Sequence, residues 1–281
     1  MKNILTILIL IASFLGAQTL KADNVRGATV TYVNGTNITI GTTNVISVIP
    51  SFDGRLTMYV TNAINVYLTT AGPNSLAYGS AASNTLYGVY VVSRYNFRLT
   101  NTIGLLSLQT NPTISSTITN AAGNVIYNAW RRVGTVRTYG DGTNIVFVPF
   151  VSYNNGGQGI TKYDFHTNLS TISPNTGTNS TFTTMTMISN FIPVNATEVC
   201  IGYRLTADAT NASALLYLRD SLATTIETPS WFSGKPANTF LAADINSFTG
   251  VWVPIRSHVL QYMVTSGETA SIHVLGFKED L

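Results

Sequence analysis

Residues 132–151 read RVGTVRTYGDGTNIVFVPFV. Two runs rich in β-branched and aromatic residues, Arg132–Tyr139 and Ile145–Val151, flank Gly140-Asp141-Gly142-Thr143-Asn144. Such runs fit a pleated surface, and glycine beside Asp or Asn supplies the backbone a tight turn needs. The segment therefore predicts a β-hairpin. The same pattern extends outward in both directions. Val30/Tyr32, Ile38/Ile40, Leu56/Met58/Val60, Ile64/Val66/Leu68 and Ile145/Phe147 alternate with period two, so each set lines one face of a strand while Thr and Asn face the other way. Gly-Thr-Asn recurs at Gly35, Gly142 and Gly177 with irregular spacing, which is turn chemistry and not a repeat. A short helix is expected only around Ala121–Trp130.

The expected fold is all-β. Tyr153–Thr161 (YNNGGQGIT) is polar, glycine-rich and without an apolar period, which predicts a boundary there. Roughly ten strands are expected before it. About eight are expected after it, near Lys162–His166, Phe182–Ser189, Thr197–Ala207, Ala212–Arg219, Phe240–Ala243, Gly250–Pro254, His258–Val264 and Ala270–Phe277. Eight strands with long connections suit a jelly roll. The expected organisation is a β-sandwich domain over 23–155 and a jelly-roll-like β-sandwich over 156–281, preceded by a leader over 1–22.

The leader follows from the first residues. Met1-Lys2-Asn3 is basic, Ile4–Ala17 is an almost unbroken apolar run, and small residues stand at Ala17 and Ala22. The run is too short to span a bilayer and has the layout of a secretory signal peptide, cleaved after Ala22 or Ala17. An uncleaved anchor is the alternative. The protein is thus expected outside the cytoplasm. Cys200, the one cysteine, is expected to be a small buried hydrophobe. Lys278-Glu279-Asp280-Leu281 is expected to be a polar tail after the last strand, because a retention signal would carry its two acids in the other order.

Composition narrows the function. The 281 residues hold 15 basic and 12 acidic side chains, only 10% charged residues, but 41 Thr, 26 Asn and 23 Ser. A disordered polyampholyte, a charge-laced coiled coil and a disulfide-knotted mini-protein are excluded. The near-neutral balance gives no basic face for nucleic acid. Six N-x-[ST] sequons, at Asn34, Asn37, Asn168, Asn179, Asn195 and Asn211, are what so much Asn, Thr and Ser gives by chance.

The chemistry search returns little. There is no phosphate-binding glycine loop, no G-x-S-x-G elbow and no H-E-x-x-H pair. His166, His258 and His273 are far apart; Asp164 and His166 would share a strand face, without a nucleophile, as a surface pair. Asp208, Asp220, Glu227 and Asp244 fall at expected strand ends, where solvated acids belong. Asp141 and Asp208 lack the spaced ligands of a calcium loop. No catalytic residue, metal ligand or cofactor is expected. The binding candidates are Trp231 and Phe232, in the loop-like TPSWFSGKP between Pro229 and Pro236, where exposed rings can stack on sugars or anchor a contact. The alternative is that they plug the sandwich. Trp130 with Arg131-Arg132 is expected to be core entry.

Two stretches carry a resemblance. Between Ser83 and Tyr153, S-N-T-L-Y-G-V-Y-V-V is followed by W-R-R-V-G-T-V-R-T and then I-V-F-V-P-F-V-S-Y-N-N. This is similar to a recurrent segment of tailed-phage and prophage structural proteins. Thr249–Phe277 (V-W-V-P-I-R-S-H-V-L-Q-Y-M-V-T-S-G-E-T-A-S-I-H-V-L-G-F within it) resembles the closing strands of β-sandwich domains on phage tail and fibre proteins. The resemblance implies a non-enzymatic virion component, such as a tail, fibre or decoration protein, acting by assembly and surface recognition with other virion proteins. The export signal motivates the alternative, a secreted or cell-surface bacterial binding module whose candidate ligand is a glycan. A homo-oligomer is expected, since Lys162, Lys235 and Lys278 are the only lysines after Lys21 available to block edge pairing. The resemblance favours a trimer.

Overall fold

The computed structural model describes Val25 and residues 28–41, 47–50, 57–69, 71–93, 102–108, 129–155, 157–164, 175–177, 181–185, 191–206, 215–220, 230–233, 251–256, 259–264 and 269–281. Among the described residues the chain is all-β, as its alternation predicts, with no helix. The expected helix around Ala121–Trp130 lies outside the described residues except for its last two positions, which open a strand.

The decisive hairpin forms where expected. Strand β9 (Ala129–Gly140) pairs antiparallel with β10 (Ile145–Phe147). Asp141 Oδ1 accepts the backbone N–H groups of Thr143 (2.9 Å) and Asn144 (2.7 Å), and Gly142 adopts φ +97°. The aspartate thus makes the turn, and the glycine takes the conformation that other residues avoid. On its other edge β9 pairs with β7 (Leu86–Ser93), then β8 (Ile103–Leu108) and β6 (Ser75–Leu76), giving the order β10-β9-β7-β8-β6. All eight residues of β7 are buried, so this strand is covered on both faces.

A three-stranded sheet lies against this one. It contains β1 (Val30–Asn34), β2 (Asn37–Ile40) and β5 (Ile64–Tyr67). Val30, Ile38, Ile40 and Val66 are buried, while Asn65 and Tyr67 stay exposed, as period two requires. The layers approach closely at glycines. A Cβ on Gly104 of β8 would lie 2.4 Å from Val66 Cγ2 and 2.9 Å from Ile40 Cδ1. A two-stranded ribbon, β3 (Ser47–Pro50) with β4 (Thr57–Val60), adds Ile49, Met58 and Val60 to the core.

The Tyr153–Thr161 stretch, where a boundary is expected, carries a hairpin. Strand β11 (Phe150–Asn155) pairs with β12 (Gln158–Tyr163) in unbroken register from Phe150↔Tyr163 to Asn155↔Gln158. Its glycines serve a turn, a role that glycine-rich composition does not separate from that of a linker. Phe150–Asn155 therefore pairs with the strands that follow it.

Those strands form two sheets. One has the order β11-β12-β20-β15-β18, using β15 (Ala196–Thr206), β18 (Val251–Pro254) and β20 (Thr269–Asp280). A short β13 (Asn175–Gly177) pairs with β20 beyond the end of β12. The other sheet has the order β14-β19-β16-β17: β14 (Thr183–Thr184), β16 (Leu215–Asp220), β17 (Ser230–Ser233) and β19 (Leu260–Val264). Leaving out β11 and β13, eight strands in chain order occupy positions 1-8-3-6 of one sheet and 2-7-4-5 of the other, all antiparallel. This is the jelly-roll order. Met185, Leu218, Leu260 and Tyr262 of the second sheet meet Val199, Ile201, Val253, Ile272 and Phe277 of the first in the core.

One cluster of buried side chains runs from Val25 to Phe277. The first and second halves of the chain share it.

Candidate binding groove and the polar joint

Charged side chains are scarce, so the positions of the buried ones are informative. Glu279 of β20 is fully buried. Its Oε2 lies 2.7 Å from Arg132 Nη2 and accepts a hydrogen bond from Thr135 Oγ1 at 2.7 Å, both from β9. Arg132 also donates to Thr135 Oγ1, and Arg131 donates to the Leu281 carbonyl. Farther along β9, Arg137 donates to Asn84 Oδ1 (3.2 Å) and lies 4.2 Å above the Phe191 ring. Thr138 ties β9 to Ala82 O (2.6 Å). Arg131, Arg132, Thr135 and Arg137 thus reach residues of the second half, while Thr138 ties β9 within the first. Burial pushes the Glu279 carboxyl above the ordinary glutamate value, opposed by Arg132, Thr135 and Asn195.

The C-terminal segment is part of this joint, which corrects the expectation of a polar tail. Lys278, Glu279 and Asp280 continue β20, and the Leu281 N–H donates to Gly157 O (3.0 Å). The mostly charged sequence Lys-Glu-Asp-Leu gives no sign that one acid is enclosed.

The other singled-out residues separate. Trp231 and Phe232 lie on the edge strand β17, opposite Tyr217 and Leu216 of β16, and not in a loop; their side chains are outside the described set. His166, Asp208, Glu227, Asp244 and His258 lie outside the described residues. Asp164 is half-buried, Asp220 ends β16, and His273 is buried on β20. Asp141 caps its own turn, and those two N–H groups hold its carboxyl below the usual range. Trp130 stacks edge-on against buried Tyr90 (5.7 Å), as core entry predicts. Cys200 is buried, and burial pushes its thiol up to about 11 against the pull of Lys162 and Lys278. Among the described residues no three His, Cys, Asp or Glu side chains gather as a metal site.

A groove of about 660 Å³ opens along β4, the 61–63 connection and β5. Tyr59 and Tyr67 stand in it, 36% and 44% exposed. Thr61, Asn62 and Asn65 add exposed hydroxyl and amide groups, and Thr102 closes one side. Its base is held by Asn74, which adopts φ +56°, accepts Gly104 N–H through Oδ1 (3.0 Å) and accepts Tyr67 N–H through its carbonyl (2.9 Å). Among the described residues, no Lys, Arg, Asp, Glu or His lines it. The sequence held a signal for this site. With Met58, Val60 and Val66 inward, the same alternation sends Tyr59 and Tyr67 outward, where large aromatics are unusual.

No family model and no curated protein matches the chain. Among solved structures, the chain is matched to a tryptic core variant of Cry1Da from Bacillus thuringiensis at 9% identity and a TM-score of 0.21, over 90% of this chain and 51% of that one. The chain spans about half the length of that structure. At this score the likeness carries no argument about fold or function.

Proposed function

We propose that the protein is a non-enzymatic virion appendage component, a tail, fibre or decoration protein, which acts by assembly and surface recognition. One observation carries the reading. The segment that resembles phage structural proteins spends its ionic residues on a buried joint between β9 and β20, where Arg132 and Thr135 hold Glu279. Such a joint fixes the halves of a building block and leaves those groups no access to a substrate. Sheet edges and neutral faces remain as the means of contact. Export through the 1–22 segment belongs to the same proposal. Mass spectrometry of purified particles from the producing cell tests it: the chain is expected in them, and its absence sinks the reading.

A second reading has its own support. The tyrosine-flanked groove favours a secreted or cell-surface module that binds a glycan. Sequencing the mature N-terminus, with cleavage after Ala17 or Ala22 and the chain recovered outside particles, would select it.

A further inference from the structure

The groove between β4 and β5 combines two outward tyrosines with uncharged polar groups. Tyr59 leaves β4 just before the turn, and Tyr67 ends β5. Around them lie Thr61, Asn62, Asn65 and Thr102, so hydroxyl and amide groups border both rings. The base is held by Asn74, which accepts the Tyr67 N–H of β5 through its carbonyl and the Gly104 N–H of β8 through Oδ1. A preformed site with fixed orientation loses little freedom on binding.

Charge selects the ligand class. Among the described lining residues a phosphate, sulfate or carboxylate meets no Lys, Arg or His, and a cation meets no Asp or Glu. Single-stranded nucleic acid could stack on the rings, but its backbone needs basic neighbours. A lipid tail needs a continuous apolar wall, and here Thr61, Asn62, Asn65 and Thr102 interrupt Val60, Ala63 and Ile64. A sugar presents what the groove accommodates: apolar C–H faces for stacking on tyrosine, and a rim of hydroxyls that donate to and accept from Asn and Thr. A groove of about 660 Å³ lies in the size range of small-ligand sites.

We infer that this groove binds a neutral oligosaccharide, with Tyr59 and Tyr67 as stacking platforms and Asn62 and Asn65 reading its hydroxyls. The inference rests on the reading of the chain as a recognition protein, and it assigns that recognition to the N-terminal sheets and not to Trp231 and Phe232.

The test uses the full secreted chain on an array of neutral oligosaccharides that includes maltotriose, cellotriose and chitotriose, with sialyllactose as the anionic contrast. Titration of any hit follows, with Tyr59→Ala, Tyr67→Ala and, outside the groove, Tyr78→Ala, whose side chain is 74% exposed. A neutral sugar bound by wild type and Tyr78→Ala, and weakened about tenfold or more by either groove variant at unchanged thermal midpoint, supports the inference. Where a groove variant loses its fold, Tyr59→Phe and Tyr67→Phe replace it, and these must keep binding, since the ring carries the stacking. No neutral hit at about millimolar concentration overturns the inference, as does preference for sialyllactose, or binding that survives both alanine variants. A change in particle mass without a change in sugar binding also overturns it, by making the groove a contact between copies. Detection of the chain in purified particles is scored separately, so failure of the groove leaves the proposed function standing.

Discussion

Arg132 and Glu279 meet at 2.7 Å inside the protein, one from β9 and one from the last strand, with Glu279 wholly excluded from solvent. A buried ion pair adds little net stability over an apolar pair, but breaking it leaves one charge enclosed without compensation. Arg132→Met is therefore expected to cost about 3–5 kcal/mol, and the double variant with Glu279→Leu to recover much of that loss. Urea denaturation of the single and double variants checks the non-additivity; simple addition would remove the joint from the account.

The same pair sets a pH signature. Without Arg132, burial acts on Glu279 unopposed and raises its carboxyl further. A carboxyl with a raised folded value contributes stability that is present below the unfolded value of about 4.3 and is lost as pH rises through the folded value. Arg132→Met should thus fall furthest behind wild type at neutral pH and close part of the gap near pH 4. Parallel denaturation curves at the two pH values read this, and an equal gap at both would contradict it.

Glycine positions report the close packing of the N-terminal layers. Gly104→Ala places a methyl group against Val66 and Ile40 and should cost about 1–3 kcal/mol, a fall of about 2–4 °C in Tm for each kcal/mol. Gly72→Ala meets nothing within 4 Å and should leave Tm nearly unchanged. Calorimetry on the two variants distinguishes local overpacking from a general intolerance of alanine.

Period-two alternation made the strands legible because one face of each sheet is buried. It placed Thr197–Ala207, Ala212–Arg219, Gly250–Pro254 and Ala270–Phe277 on or beside β15, β16, β18 and β20. A jelly-roll-like sandwich could be expected from strand number and long connections, but the strand order could not, and the expected strand at Phe240–Ala243 lies outside the described residues. The β11–β12 pairing was not legible at Tyr153–Thr161, because glycine-rich polar sequence serves hairpin turns and domain boundaries alike. β17 was missed because Pro229 and Pro236 suggested a loop. The joint could not be read at all: the burial of Glu279 depends on what packs around it, and a terminal Lys-Glu-Asp reads as solvated in every local window. The groove was half legible, since the outward phase of Tyr59 and Tyr67 follows from the inward phase of Met58, Val60 and Val66.

Cys200 gives a simple check on the packing of β15 between its neighbours. It is 2% exposed and its thiol is pushed up to about 11, so at pH 8 it carries almost no thiolate. A thiol reagent should leave the folded protein unmodified and label one site in denaturant. Rapid labelling without denaturant would contradict its placement between β18 and β20.

Assembly is the central claim, and particle mass in solution tests it most directly. Two of the three lysines expected to guard strand edges are engaged elsewhere: Lys162 and Lys278 lie 5.9 Å and 4.6 Å from the Trp252 ring, and Lys278 pairs with Glu198 at 2.8 Å. On the edge strand β11, Val151 and Tyr153 are 63% and 44% exposed. Light scattering on the mature protein at high micromolar concentration should give a multiple of the chain mass, three being favoured. A constant mass of one chain, 30.2 kDa or about 28 kDa without the proposed 1–22 leader, would contradict the account.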